Sequence, residues 1–286
     1  MINGKVYYGG GTCNDKDEYI VYCYSQGKWT TLPLLPVRYF GLGHINGMLV
    51  VVGGEKCDGL RSNVIYSYNE LSRKWMQTIP PMPTPRDSLD VLSLQSALLI
   101  AGGDTPSSSN YCYVNTVEIF KPDTFQWYTV RTDPLPIACY DISLVALGNT
   151  CYALGGYSYP LCLNQTLFAS VDHLLANAIQ TTCSGSSDAL SAWKSLPNTP
   201  TYQPAAAMLA GTLLAIGGKE TSKGGADMKE IYMYSPAANS WIYIGDLPAP
   251  RTGIAVAILS STDILVIGGW YEGHVNTVYK ETIFLS

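Results

Sequence analysis

Pairs of adjacent glycines recur six times along the chain, and each pair closes a short apolar run. The first glycines of successive pairs are separated by 44, 49, 53, 62 and 51 residues. A short apolar run before each turn indicates a β-strand, and a period of about 50 residues is typical of propeller blades rather than of solenoid turns. The chain is therefore expected to form a ring of six sheets. The pairs are Gly9 and Gly10, Gly53 and Gly54, Gly102 and Gly103, Gly155 and Gly156, Gly217 and Gly218, and Gly268 and Gly269.

Tryptophans provide a second marker in phase with the glycines. In four repeats an aromatic residue precedes a tryptophan by seven residues, as Tyr22 precedes Trp29 and Phe120 precedes Trp127. A short apolar segment and then prolines follow each tryptophan. We expect the large rings to fill the gaps between neighbouring sheets, and the glycines to let the backbones approach closely. The tryptophans predicted to be architectural are Trp29, Trp75, Trp127, Trp193 and Trp241.

Composition excludes several other classes of protein. Charged residues make up 14% and hydrophobic residues 47% of the 286 residues, which argues against a disordered chain. The net charge of -5 comes without a basic run, so nucleic acid is not an expected partner. No apolar stretch approaches the ~18–20 residues of a membrane span, so a membrane is not an expected partner either. Abundant tyrosine, glycine and proline indicate strands and turns, and the predicted fold class is all-β.

Catalytic and metal-binding patterns are absent from the sequence. The eight cysteines form no Cys-x-x-Cys pair, and the three histidines have no metalloprotease spacing. Neither a G-x-S-x-G motif nor a glycine-rich phosphate loop leading into a helix is present. We therefore predict no catalytic residue, no metal and no cofactor. Since the first residues lack the pattern of a signal peptide, the cysteines are expected to be free thiols in a reducing compartment, and the expected location is the cytoplasm.

The repeats resemble the kelch motif, and the resemblance covers nearly the entire chain. It implies a six-bladed kelch β-propeller, in which each repeat forms one four-stranded blade and the blades stand radially around a central channel. One kelch domain is predicted over residues 1–286, with repeats at approximately 1–37, 38–85, 86–138, 139–201, 202–250 and 251–286.

The phase of the repeat predicts incomplete blades at both ends. Asn46-Gly47 is the expected turn between strands a and b of the second blade, and Asn3-Gly4 matches it in the first. Strand a of the first blade would therefore lie before Met1. Phe284 occupies the aromatic position of the last repeat, so its tryptophan and strand d would lie beyond the chain. We expect roughly 25 upstream residues to supply both strands, as part of a longer protein.

The fourth repeat is longer than the others between its glycine pair and Trp193. The additional residues, LLANAIQTTCSGSSDALSA, fall between strands c and d, and Ser186 replaces the aromatic residue. We expect a short helical turn over LLANAI followed by a surface loop. A binding element at this place is the alternative.

Kelch domains gather their d–a and b–c loops on one face, and the resemblance implies a binding surface there. The position after the prolines is often arginine in this family. Converging arginines and tyrosines would suit an acidic or phosphorylated peptide with apolar anchors; bracing of the loops through backbone carbonyls is the alternative role of the arginines. The predicted partner-binding residues are Arg38, Arg86, Tyr140, Tyr202 and Arg251 in the d–a segments, and Arg61, Tyr157, Trp270, Tyr271 and His274 in the b–c loops.

The resemblance implies a non-catalytic module that binds a peptide segment of a partner protein on this face. Kelch domains of the animal type commonly recognise substrates for ubiquitin ligases, with a BTB or F-box domain upstream, so an adaptor role is an expectation from the family alone. Two alternatives stay open. One is a cytoskeletal, actin-associated propeller, and the other is a sugar-processing enzyme similar to the sialic-acid mutarotases, which also carry kelch repeats.

Overall fold

A ring of six antiparallel sheets forms the molecule. The computed structural model describes residues 2–10, 12–13, 16–17, 19–106, 112–130, 134–180, 192–220 and 225–285. Each sheet is one blade and corresponds to one sequence repeat, with its strands hydrogen-bonded in chain order. Among the described residues there is one α-helix, and no helix is both long and apolar enough to cross a membrane. The all-β fold class and the six-bladed propeller predicted from the repeats are confirmed.

The first three blades contain the following strands. Blade one has β1 (Val6–Gly9), the short hairpin of β2 (Thr12–Cys13) and β3 (Lys16–Asp17), β4 (Val21–Ser25) and β5 (Lys28–Thr31). Blade two has β6 (Val37–Arg38), β7 (Gly41–Ile45), β8 (Met48–Val52), β9 (Glu55–Lys56), β10 (Ile65–Asn69) and β11 (Lys74–Ile79). Blade three has β12 (Asp90–Ser93), β13 (Leu98–Ala101), β14 (Asp104–Thr105), β15 (Cys112–Tyr113), β16 (Val117–Lys121) and β17 (Gln126–Val130).

The last three blades follow the same plan, with an additional helix and strand in blade four. Blade four has β18 (Tyr140–Leu147), β19 (Thr150–Ser158), β20 (Leu161–Cys162), β21 (Thr166–Ser170), α1 (Val171–Ala176), β22 (Ala178–Gln180) and β23 (Lys194–Leu196). Blade five has β24 (Ala205–Leu209), β25 (Thr212–Ile216), β26 (Glu230–Ser235) and β27 (Ser240–Asp246). Blade six has β28 (Ala255–Ile258), β29 (Asp263–Ile267) and β30 (Val278–Thr282).

The hydrophobic core lies between the blades. Among the described residues, apolar side chains form six clusters, and each cluster fills one interface between neighbouring blades. Val6 of blade one packs with Leu265 and Ile267 of blade six, which closes the ring. Burial of apolar surface at every interface is the main stabilising contribution in such a fold. It also explains the low content of charged residues.

The glycine pairs hold neighbouring blades at close distance, as predicted. Gly53 has a φ of +65°, and a Cβ built there would lie 2.5 Å from the carbonyl oxygen of Arg86 in the next blade. The N–H of Gly54 donates to that same oxygen at 2.9 Å. Only glycine combines a positive φ with such a close approach of another backbone. The first pair differs, because Gly9 is an ordinary strand residue and only Gly10 has a positive φ.

The first and last blades each contain three strands in the described part of the chain, as the repeat phase predicts. In blade one, the turn at Asn3 and Gly4 has positive φ at both residues and joins Ile2 to Lys5. This is the geometry of a type I′ hairpin turn, which Asn-Gly favours. Ile2 therefore stands where strand a of the first blade ends.

The strand pairing of blade one does not follow the seven-residue spacing between its aromatic residue and its tryptophan. Trp29 pairs with Tyr24 and not with Tyr22, because Gln26 and Gly27 form a two-residue turn in blade one. The equivalent turns of blades two, three and five are two residues longer, so there the aromatic residue seven positions earlier is the partner, as Phe120 is for Trp127. The c–d turn of blade one is thus two residues shorter than those of blades two, three and five.

The insertion of blade four forms part of blade three. Helix α1 begins after Ser170, whose hydroxyl accepts a hydrogen bond from the His173 N–H, so a helical turn is present but starts earlier than LLANAI. The chain then crosses over, and β22 pairs antiparallel with β17 as a fifth, outermost strand. Ala178 and Ile179, expected in the helical turn, and Gln180, expected in the loop, instead form a strand. Residues 181–191 lie outside the described part of the chain.

Candidate functional site

The b–c loops and the d–a segments meet on one face of the ring, through a bridge that repeats from blade two to blade six. In each of these blades, a residue at or just before the start of the innermost long strand forms a β-bridge. Its partner is the residue that directly follows the glycine pair. We call the surface formed at these bridges the loop face. The bridges join Arg38 to Glu55, Asp87 to Asp104, Tyr140 to Tyr157, Tyr202 to Lys219, and Thr252 to Trp270.

Two of the predicted binding arginines are not on this surface. Arg86 and Arg251 stand one residue before the bridging position and are 0% and 1% exposed. Arg86 donates to the carbonyl of Gly102 at 2.9 Å and to Thr116, while Arg251 donates to the carbonyl of Gly268 at 2.9 Å and to Thr277. Their prediction as partner-contacting residues is wrong, because these bonds and their burial give them the bracing role. Arg38 belongs to the other set, with Tyr140 and Tyr202, and remains at the surface.

A buried carboxylate completes the environment of Arg86. Glu118 lies 3.1 Å from the guanidinium, is 1% exposed on its side chain, and also accepts a hydrogen bond from the Thr84 hydroxyl. In blade six the corresponding position is Tyr279, whose ring lies 4.3 Å from the guanidinium carbon of Arg251. The buried guanidinium is thus stabilised by an ion pair in the case of Arg86 and by a cation–π contact in the case of Arg251.

Arg61 is the centre of a charged cluster between blades two and three. Its guanidinium contacts Glu55 at 2.8 Å, Asp87 at 2.9 Å and Asp104 at 2.6 Å, and Arg38 also pairs with Glu55. Burial raises the pKa of Asp87 to about 7 although Arg61 opposes the shift. We call these five residues the charged cluster. Both surface arginines of the predicted site, Arg38 and Arg61, are paired with carboxylates within it.

Three tyrosines form the neighbouring part of the loop face. The ring centroid of Tyr140 lies 5.0 Å from that of Tyr113 and 5.3 Å from that of Tyr157. Tyr113 belongs to blade three, where it pairs with Asp104 across a short hairpin. The structure therefore brings together the predicted Tyr140 and Tyr157, and adds Tyr113. Sequence spacing gave no signal for Tyr113, because its position depends on that hairpin and on contact with another blade.

Exposed apolar side chains surround these clusters. Tyr159 and Leu161 project from the b–c loop of blade four and are 71% and 61% exposed. Trp270 and Tyr271 are also exposed in blade six, where the Trp270 ring contacts His274 edge-on at 4.8 Å. Tyr202 of blade five is half-buried beside Lys219, which pairs with Asp227. The predicted loop residues of blades four and six thus lie at the surface, but in separate sectors of the ring.

A collar of backbone hydrogen bonds surrounds the channel at the same face. The N–H of Ser88 donates to the Tyr39 carbonyl at 2.9 Å, and the N–H of Asp141 donates to the Ser88 carbonyl at 3.0 Å. These residues lie at or shortly before the start of the innermost strands of their blades, and each has a φ near +50°, as does Gln203 of blade five. We call these four positions, with Gly253 of blade six, the collar. Non-glycine residues with positive φ are uncommon and mark constrained places in a fold.

Comparison with known proteins identifies the repeats. No protein-family model matches the chain. The kelch-like protein terF of Aspergillus terreus is 28% identical over 177 residues, covering 54% of this chain and 37% of its own length. The kelch repeat and BTB domain-containing protein 1 of vaccinia virus (strain Copenhagen) is 22% identical over 282 residues, covering 95% of this chain and 45% of its own length. The chain is a six-bladed β-propeller whose repeats are similar to those of kelch-repeat proteins.

One further curated relative and one solved structure are also similar to the chain. Beta-scruin of Limulus polyphemus is 27% identical over 140 residues, which cover 46% of this chain and 15% of that protein. The solved structure of YjhT superimposes with a TM-score of 0.76 over 99% of this chain and 93% of that chain, at 17% sequence identity. The kelch propeller spans less than half the length of each of these three curated relatives.

Proposed function

We propose that this kelch propeller is a non-catalytic protein-interaction module that binds a segment of a partner protein on its loop face. The observation that carries the proposal is the placement of exposed Tyr159, Leu161, Trp270 and Tyr271 on the same face as the tyrosine cluster. Exposed apolar groups rimmed by polar residues mark interaction sites, and tyrosine and tryptophan dominate binding energies at such sites. The kelch-repeat relatives support an interaction role of this kind.

The structure changes which partner chemistry this face favours. An acidic or phosphorylated partner was expected from Arg38, Arg86 and Arg251. Arg86 and Arg251 are buried, and Arg38 and Arg61 are paired with carboxylates. A partner anion would have to displace these ion pairs, so the arginines no longer support that choice, and the apolar anchors carry the proposal instead.

A peptide-display selection on the purified propeller tests the proposal. Tyr157→Ala and Trp270→Ala should each weaken binding of the selected peptides at least tenfold if these residues are hot spots, which cost about 2 kcal/mol or more on truncation. Leu71→Ala is the control, because Leu71 is an exposed apolar residue that lies in the c–d turn of blade two, away from the loop face. Equal effects of all three variants would contradict the proposal.

Two finer points of the function need separate tests. We propose the ubiquitin-ligase adaptor role on the basis that a relative with 22% identity contains a BTB domain by name. It requires a BTB or F-box region in the same gene product, which the upstream coding sequence would reveal, and ubiquitylation of a bound partner by the full-length protein. For the sugar-processing alternative, NMR of anomeric exchange on a panel of free sugars is decisive, since acceleration by the propeller would contradict a non-catalytic role.

A further inference from the structure

We propose that the loop face recognises a cationic side chain of its partner segment, an arginine or lysine, which pairs with Asp141 in the collar. This inference rests on the proposed function and specifies the chemistry of the partner. It also predicts a positively charged partner residue, whereas the arginines in the sequence predicted a negatively charged one. Three observations support it: the position of Asp141, the lack of any internal cation for it, and the aromatic residues beside it.

Asp141 is held in a defined place at the mouth of the channel. It directly precedes Ile142, which faces the interface between blades three and four, and follows Tyr140, which pairs with the b–c loop. Its φ of +51° and its N–H bond to the Ser88 carbonyl fix the backbone between two blades. The side chain is exposed to solvent, while the surrounding blades raise the pKa of its carboxyl to about 6. The carboxylate is therefore mostly ionised at neutral pH.

No side chain among the described residues neutralises Asp141. The nearby carboxylates Asp87 and Asp104 share Arg61, whereas Asp141 has neither an ion pair nor a side-chain hydrogen bond in the described structure. The other collar positions are Tyr39, Ser88, Gln203 and Gly253, which carry no charge. Asp141 is thus the single carboxylate of the collar, and an accessible anion without a cation of its own favours binding of a cation from a partner.

The tyrosine cluster supplies the second half of such a site. Tyr140 precedes Asp141 directly, and its ring contacts Tyr113 and Tyr157. A guanidinium or ammonium group is attracted to aromatic faces as well as to a carboxylate, and the two contacts together distinguish a basic side chain from a neutral polar one.

Titration with a minimal probe tests the site without knowledge of the partner. N-acetyl-arginine methylamide is added to the propeller and followed by NMR chemical-shift changes, with N-acetyl-citrulline methylamide as the neutral isostere. Asp141→Asn should weaken binding of the arginine probe at least tenfold, to the level of the citrulline probe, because a charge-assisted hydrogen bond is lost. Asparagine tolerates a positive φ, and Asp141→Ser, which copies Ser88 of blade three, is the second variant.

Glu272→Gln is the matched control for net charge. Glu272 is exposed at the loop tip of blade six and has a φ of +52°, so its neutralisation should leave binding of the arginine probe within twofold. The inference is overturned if Asp141→Asn and Asp141→Ser bind the arginine probe as tightly as the wild type does. Tighter binding of N-acetyl-phosphoserine methylamide than of the arginine probe would overturn it as well.

The display selection separates this inference from the function on which it rests. Peptides selected on the wild type should share an arginine or lysine that is no longer enriched on Asp141→Asn. If peptides without any basic residue are enriched and compete with one another on the loop face, the function stands and the inference falls. If no peptide is enriched, the proposed function itself is wrong.

Discussion

At the scale of single residues, Arg86 and Arg251 provide a matched pair of buried cations. Arg86→Met would leave Glu118 buried without its partner, which costs about 3–5 kcal/mol, whereas Arg251→Met leaves no carboxylate behind. We expect urea unfolding to show a clearly larger loss of stability for Arg86→Met. The double variant Arg86→Met/Glu118→Leu should recover most of it. Equal losses for the two single variants would show that the ion pair is not the cause.

The repeat tryptophans differ in what covers them. Trp127 is 6% exposed, and its indole N–H donates to the Pro80 carbonyl of the preceding blade at 2.7 Å. Trp29 is 36% exposed, because the described part of blade six has no strand d beside it. Trp127→Ala should therefore cost about 3–5 kcal/mol in the free energy of unfolding, and Trp29→Ala less than half of that amount. A similar cost at both positions, measured by urea unfolding, would contradict this assignment.

At the scale of elements, the glycine pairs connect one blade to the next. Gly217 has a φ of +59°, and a Cβ there would lie 2.5 Å from the Arg251 carbonyl oxygen. Gly211, in the a–b turn of the same blade, has a φ of +82° and nothing within 4 Å of its Cβ position. Gly211→Ala should cost the ~1–2 kcal/mol of a left-handed alanine. Gly217→Ala adds the backbone clash and should lower the free energy of unfolding, measured in urea, by at least twice as much. Equal losses would show that the two blades can move apart enough to accommodate the methyl group.

Elements defined by local chemistry could be predicted from the sequence, and those defined by long-range pairing could not. Glycine pairs, prolines and Asn-Gly turns act through their own φ preferences, so they identified the blades and the incomplete ends. The positions of Arg38 and Arg86 differ by one residue in the d–a segment. This difference decides whether the side chain is at the surface or buried, and the repeat spacing does not reveal it. The strand β22 and the tyrosine cluster depend on contacts between different blades, which no local pattern encodes.

At the scale of the whole molecule, two carboxyl groups of the loop face make stability depend on pH. The pKa of Asp87 is raised to about 7 by burial, and that of Asp141 is raised to about 6 by the blades that surround the exposed carboxyl. Since these values exceed the roughly 4 of an unfolded aspartate, the native state binds more protons between pH 4 and 7. The contribution of these groups to stability therefore falls as the pH rises through that window.

The double variant Asp87→Asn/Asp141→Asn isolates this contribution. Urea unfolding at pH 5 and pH 8 should show the variant gaining stability relative to the wild type as the pH increases. Comparison at each pH cancels the exposed carboxyl groups with lowered pKa, such as Asp246 and Asp263. A difference that stays constant, or that shifts toward the wild type at pH 8, would show that neither carboxyl group has a raised pKa in the native state.

The crossover strand β22 connects blade four to blade three. By covalent connection β22 belongs to blade four, but its hydrogen bonds join it to β17 at the outer edge of blade three. Blade three cannot open from that edge until β22 detaches, and β22 begins directly after α1 and Asn177 of blade four. We expect blades three and four to open together as one cooperative unit, whereas in the described part of the chain the seam between blades six and one is held by the packing of Val6 against Leu265 and Ile267.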